Sequence, residues 1–140
     1  IKDIIEFTGN SLDENIGKVL YGGPMMGVAL YNLDDPILKN TNAITVFNNK
    51  DAASQRSYPC IHCGRCLGAC PQRLVPQMLM AASDNEQYED FERLYGMECI
   101  ECGSCSYVCP AKRPLTQSFK FAKRKVIAKR KKIAKQRLKG

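Results

Sequence analysis

No cysteine lies outside residues 60–109, although that stretch holds all eight of them. No acidic residue occurs in residues 112–140, which hold 13 Lys and Arg. No apolar run approaches the roughly 18 residues needed to cross a bilayer, so no transmembrane helix is expected. No signal peptide is visible either. The chain opens at Ile1 in mid-pattern, and it is expected to be a piece of a longer protein. Outside the cysteine runs there is no nucleophile–base pair and no open metal site with a base beside it, which argues against a self-contained enzyme. The charge is divided: residues 1–111 hold 8 basic and 14 acidic residues, so the net +7 is −6 plus +13. The overall pI near 9.0 describes neither half.

What is present is a duplicated cysteine run. Cys60, Cys63, Cys66 and Cys70 precede Pro71, and Cys99, Cys102, Cys105 and Cys109 precede Pro110. Both copies follow C-x2-C-x2-C-x3-C-P, the spacing of bacterial two-cluster iron–sulfur sites. The copies are offset by 39 residues, and Ile61/Ile100 and Gly64/Gly103 repeat with them. Two-residue gaps let one loop wrap three thiolates around three corners of a cubane. The fourth cysteine points away and reaches the other cubane, and the proline then fixes the departing direction of the chain. The glycines permit left-handed backbone that turns amides toward sulfur. The expected ligands are therefore Cys60, Cys63, Cys66 and Cys109 for one [4Fe–4S] cluster, and Cys99, Cys102, Cys105 and Cys70 for the other. Zinc would use two Cys pairs and stop at four ligands. Disulfides are disfavoured by cysteines this close on tight loops. Thiolate-bound clusters point to a reducing compartment.

Read in order, residues 1–8 predict a short amphipathic helix stopped at Gly9-Asn10. Lys18 to Tyr21 reads as a strand running into the turn Gly22-Gly23-Pro24, and Met25 to Leu30 as a buried segment with methionines filling core space. The glycine-rich stretch lacks the lysine and hydroxyl of a phosphate loop. Ala43 to Phe47 is a β-branched strand, and residues 48–58 are a polar linker. Between the cysteine runs the reading is helical. Pro76 opens one helix, Ser83-Asp84-Asn85 breaks it, Glu86 to Tyr95 forms a second and Gly96 ends that. No flank of either motif alternates as a strand should, so a helical two-cluster domain is favoured over the β-rich small ferredoxin. A long basic helix from Leu115 to Lys139 follows, with Phe119, Ala122, Val126 and Ile133 on one stripe. Nucleic-acid binding is disfavoured there, since no aromatic platform is interleaved; a basic amphipathic helix on anionic lipid or on membrane partners suits the tail better.

The residues also carry a resemblance. Gly22-Gly23-Pro24-Met25-Met26-Gly27, Thr41-Asn42-Ala43-Ile44, Pro59-Cys60-Ile61, the run from Met97 to Cys105, and Cys109-Pro110-Ala111 resemble RnfC, a component of the Rnf electron-transport complex. The resemblance implies an α+β chain. Residues 1–47 would be the end of a β-grasp-like soluble-ligand-binding (SLBB) domain, 48–58 a linker, 59–114 the dicluster ferredoxin domain, and 115–140 a basic amphipathic tail. It implies electron transfer in a peripheral subunit at the cytoplasmic face of the cell membrane. There the complex would couple ferredoxin and NAD redox chemistry to Na⁺ or H⁺ translocation. The implied partners are other subunits of that complex and ferredoxin or an iron–sulfur subunit, with no nucleic acid. Family members also carry an upstream flavin and nicotinamide domain. FMN and NAD(H) are thus implied only for that region, which nothing here matches. A related iron–sulfur subunit of cobalamin-type flavin reductases shares the layout, and a structural cluster domain with a basic partner-binding tail is the reading from another class. Side chains expected to tune the clusters are His62, Arg65 and Arg73 at the first motif, and Lys112 and Arg113 at the second.

Overall fold

The computed structural model describes residues 1–9, 16–52 and 56–138. The chain divides into two compact units, Ile1–Gln55 and Arg56–Gly140. The architecture is mixed, with a small sheet in the first unit and helices in the second.

In the first unit, helix α1 (Lys2–Phe7) is stopped at Gly9, whose φ of 79° suits a residue without Cβ. Asn10, the other half of the expected stop, lies outside the described residues. Three antiparallel strands follow in the order β2–β1–β3: β1 (Ile16–Tyr21), β2 (Val28–Ala29) and β3 (Ile44–Asn48). Val19 pairs with Val46 and Leu20 with Thr45, while a bulge interrupts the register between Ile16 and Lys18. The core is small: Ile1, Ile5 and Val19, ringed by Ile16, Tyr21, Leu30, Leu33 and Ile44. The turn before β2 is tied by Gly27 N–H to the Gly23 carbonyl at 2.8 Å and by the Thr45 hydroxyl to the Gly22 carbonyl at 2.7 Å.

One expectation fails here. Met25, Met26 and Val28 are about half exposed and fill no core space. The reason is local: Met25 and Met26 lie in the turn before β2, and β2 itself is a two-residue edge strand whose residues are both exposed. Residues 53–55 of the expected linker lie outside the described residues.

The second unit contains no strand among its described residues. Its helices are α2 (Arg65–Gly68), α3 (Pro76–Asp84), α4 (Tyr88–Arg93), α5 (Ser104–Tyr107) and α6 (Leu115–Arg137), with a 3₁₀ turn at Gly96–Glu98. The 39-residue repeat of the sequence is also a repeat of structure. Adding 39 carries the ends of α2 onto those of α5, and Pro76 at the start of α3 onto Leu115 at the start of α6. Each half is thus a cysteine loop, a one-turn helix, a Cys-Pro turn and a longer helix.

The two long helices meet in the core. Leu79, Met80 and Ala82 of α3 and Phe91 of α4 pack with Leu115, Phe119, Ala122 and Val126 of α6. The rings of Phe91 and Phe119 lie tilted at 49° with centroids 6.2 Å apart. The expected apolar stripe on α6 is therefore buried from Phe119 to Val126. Ile133, the last member, is 40% exposed. Gly96 does more than stop α4: a Cβ there would collide with the Phe91 ring.

Candidate iron–sulfur centres

The loops that carry the cysteines turn inward through left-handed backbone, and they do so twice in the same way. His62 and Glu101 have φ of 54° and 58°, Gly64 and Gly103 of 73° and 85°, and Arg73 and Lys112 of 53° and 52°. Each pair is separated by 39 residues. For residues with a Cβ this conformation costs about 1–2 kcal/mol. The return is visible in the amides. His62 N–H points to Cys60 Sγ at 3.5 Å, and Glu101 N–H points to Cys99 Sγ at 3.4 Å. Leu74 N–H reaches Cys70 Sγ at 3.4 Å. Arg73 and Lys112 close the Cys-Pro turns by donating to the carbonyls of Cys70 and Cys109 at 3.0 and 3.1 Å. The side chains of Arg73 and Lys112 were expected to tune clusters; their backbones take part in these turns as well.

The thiols fall into two rings. Cys60, Cys63, Cys66 and Cys109 line one cavity of about 340 Å³, together with His62, Met80 and Arg113. Cys70, Cys99, Cys102 and Cys105 line the other, a tighter space of about 20 Å³ floored by Leu74, Leu79 and Phe119. The fourth cysteine of each motif thus sits with the first three of the other. Among the described residues, no three ligand-type side chains converge at single-ion distance. The sulfurs of each ring line a shared space. Cysteine side chains turn about χ1, so the donor set decides the fit more than the free volume. Four thiols and inward amides in each ring fit a [4Fe–4S] cluster.

The rings differ in electrostatics. Burial pushes the Cys66 thiol up, and facing Cys109 and Cys60 pushes it further. Burial also raises Cys99, which faces Cys70, and Cys105. Cys102 is held below its usual range by the Ser104 hydroxyl, 3.4 Å from its sulfur. Thiolates are the ligands, so loading the raised thiols releases protons.

Several second-motif groups escaped the sequence reading. The Thr116 hydroxyl lies 3.8 Å from Cys105 Sγ and 2.9 Å from the Ser106 hydroxyl, and Thr116 N–H donates to that same hydroxyl. Lys123 pairs with Glu101 at 3.1 Å. Only the fold brings α6 over these loops, so spacing gave no signal for them. Arg113 was expected to act at the second motif but lines the first ring. Its guanidinium contacts Met80 Sδ at 3.3 Å and Asp84 at 3.0 Å. His62 lines the first ring as well, with no described bond from its imidazole. Arg65 begins α2.

Comparison with known proteins agrees with this geometry. Residues 59–113 match the 4Fe-4S dicluster domain family. Three relatives are C components of ion-translocating redox complexes. The chain is 46% identical over 116 residues to that of the Na(+)-translocating ferredoxin:NAD(+) oxidoreductase complex of Acetobacterium woodii. That alignment covers 83% of this chain and 26% of that protein. It is 44% identical over 123 residues to that of the proton-translocating ferredoxin:NAD(+) oxidoreductase complex of Clostridium ljungdahlii, covering 87% of this chain and 27% of the relative. With that of the ion-translocating oxidoreductase complex of Methanosarcina acetivorans it shares 41% over 127 residues, 91% of this chain and 28% of the relative. Over most of its length the chain is similar to RnfC subunits. It spans about a quarter of the length of the curated relatives it matches. The chain carries a dicluster domain for two [4Fe–4S] clusters, and among its described residues no helix is long and apolar enough to cross a membrane.

Proposed function

We propose that this chain is a segment of an RnfC-type protein and relays single electrons through its two clusters, as part of a peripheral subunit of a membrane complex. In that complex, ferredoxin and NAD redox chemistry would drive Na⁺ or H⁺ translocation. The observation that carries the reading is the four-and-four grouping of thiols, with Cys70 and Cys109 exchanged between motifs. Cys60, Cys63, Cys66 and Cys109 hold one cluster; Cys99, Cys102, Cys105 and Cys70 hold the other. A [4Fe–4S] cluster, when bound, accepts and returns one electron with little change in its ligands. The chain's contribution is to hold the thiolates, aim the amides of His62, Glu101 and Leu74 at sulfur, and link the two rings through short Cys-Pro turns. Crossed ligation ties the rings to one backbone, which keeps them close enough for an electron to pass between them.

The first unit is the end of an SLBB β-grasp-like domain on this reading, supported by its short helix and three-stranded antiparallel sheet. FMN and NAD(H) belong to the rest of the parent protein. The end of α6 lies against the anionic cytoplasmic face of the membrane, beside the partner subunits. Lys129 and Arg130 pair with Glu89 and Glu92, whereas Lys131, Lys132, Lys135 and Arg137 beyond them are exposed, with Ile133 between. Near an anionic surface such residues contribute about 1 kcal/mol each.

The test is an anaerobic redox cycle. Reconstituted protein should bleach in the visible on adding dithionite and recover fully with a one-electron acceptor. Clusters that dithionite leaves oxidised would point to a structural role instead.

A further inference from the structure

The 39-residue repeat allows each side chain to be set beside its own mate, and the comparison singles out Lys123 of α6. Its ammonium donates to the carbonyl of Cys99 at 2.8 Å and pairs with the carboxylate of Glu101 at 3.1 Å. The lysine side chain is only 18% exposed and the glutamate 29%, whereas the outer pair of Lys129 and Glu89 stands at 54% and 82%. A charge sheltered in this way is screened far less by salt and water than one on the surface. Its mate, 123 minus 39, is Asp84, and the sign is reversed. Asp84 is engaged by Arg113 at 3.0 Å and by the Ser118 hydroxyl at 3.2 Å. The other mates diverge too, though not with the same sign of charge. Ser104 and Thr116, the hydroxyls beside Cys102 and Cys105, correspond to Arg65 and Gln77. The duplication thus kept the backbone of the two rings and made their charge and hydrogen bonding unlike.

We propose that Lys123 is a charge-compensating positioning residue, which raises the reduction potential of the cluster on Cys99, Cys102, Cys105 and Cys70 and so makes the two repeats inequivalent electron carriers. The proposal rests on that ligand grouping. On reduction one electron enters the site from a low-potential one-electron donor; no bond breaks and no proton is taken up. The site becomes more negative by one charge. A fixed cation anchored on a ligand's own carbonyl favours that state, and Glu101 opposes it. A purely structural lysine, holding α6 to the loop, would change stability and leave the potential alone.

The test is a dithionite-poised potentiometric titration of the full reconstituted chain, read by electron paramagnetic resonance. Lys123→Met should lower the reduced-to-oxidised ratio of one cluster about tenfold at fixed potential, the size of one charge acting over about 12 Å at an effective dielectric of about 20. That corresponds to 59 mV for one electron. The other cluster should keep its midpoint. Lys123→Arg should restore most of the shift, and Glu101→Gln should move the same cluster the opposite way. Cys102→Ser should abolish the signal that moves. Full iron content in Lys123→Met with both midpoints unchanged would overturn the proposal and leave the ligand grouping standing. If Lys123→Met fails to load its cluster, Glu101→Gln decides: no upward shift overturns the proposal. A shifted signal that Cys63→Ser removes, and Cys102→Ser spares, would also overturn the proposal, since Lys123 would then act on the other cluster; the ligand grouping is tested separately by Cys70→Ser, which should remove the same signal as Cys102→Ser and overturns the grouping if it removes the other.

Discussion

At the scale of the residue, the cysteines carry the account, and Cys70 is the most informative of them. It belongs to the first motif by sequence and lies in the second ring by position. Cys70→Ser should therefore weaken or abolish the cluster of Cys99, Cys102 and Cys105, halving iron content at most, while the paramagnetic signal of the first ring persists. Loss of the first ring's signal alone would contradict the crossed grouping. The eight thiols were legible because their spacing is a property of the local chain. His62 and Glu101 were legible only as neighbours; their left-handed backbone, at φ of 54° and 58°, emerges when amides are turned onto sulfur. Thr116 and Lys123 were not legible at all, since each meets its loop through the packing of α6. Gly96 was read as a helix stop and proves also to be a space requirement. Gly96→Ala should displace the Phe91 ring and cost about 1–3 kcal/mol, as overpacking does. Thermal unfolding of the holoprotein measures this, and an unchanged midpoint would show that the ring can yield.

Among the elements, α6 changes meaning most between sequence and structure. Its apolar stripe was visible as a pattern, and the start at Leu115 agrees with that pattern. Its partner was hidden, because a narrow stripe amid lysines reads equally well as a surface helix. In the fold the helix has two halves with different work. Leu115, Phe119, Ala122 and Val126 are almost wholly buried and complete the core over α3 and α4, whereas the described residues from Lys129 onward are exposed. Two truncations separate the halves. Ending the chain after Arg130 should preserve both clusters and the two outer ion pairs while removing association with anionic vesicles at low salt. Ending it after Arg113 removes Phe119, whose deletion to alanine alone would cost about 3–5 kcal/mol, and should abolish cluster retention. Iron content and vesicle co-sedimentation report the two outcomes. Equal vesicle binding by the full chain and the chain ending at Arg130 would leave the outer half without a membrane role. The methionines near Gly27 are the opposite case: an apolar pattern promised burial, and the exposed turn that holds them does not provide it.

On the scale of the whole molecule, the two units should depend on iron to different degrees. The sheet of the first unit is held by strand pairing and a small aliphatic core without cysteine. In the second, Cys105 is itself a core residue, and Cys66, Cys70, Cys99 and Cys109 pack against that core. Emptying the rings leaves raised thiols, unfilled space and left-handed loops with no sulfur charge to face, so metal binding and folding are coupled there. Chelation should remove much of the helical circular dichroism and leave a strand signal. The general architecture, helices around two cysteine loops beside a separate strand-containing stretch, was readable from punctuation and period. The joining of the two loops into exchanged rings was inferred from the Cys-Pro spacing and depends on a fold that no local pattern displays. The most direct measurement of the central claim, two neighbouring clusters on these eight thiols, is iron and acid-labile sulfide per chain, taken with the reduced paramagnetic spectrum of the same anaerobic sample. Two crossed cubanes predict about eight iron and about eight sulfide, four of each per cluster, with two spin-half centres broadened by their mutual interaction. Four iron or fewer, zinc in their place, or two centres with no magnetic interaction would contradict it.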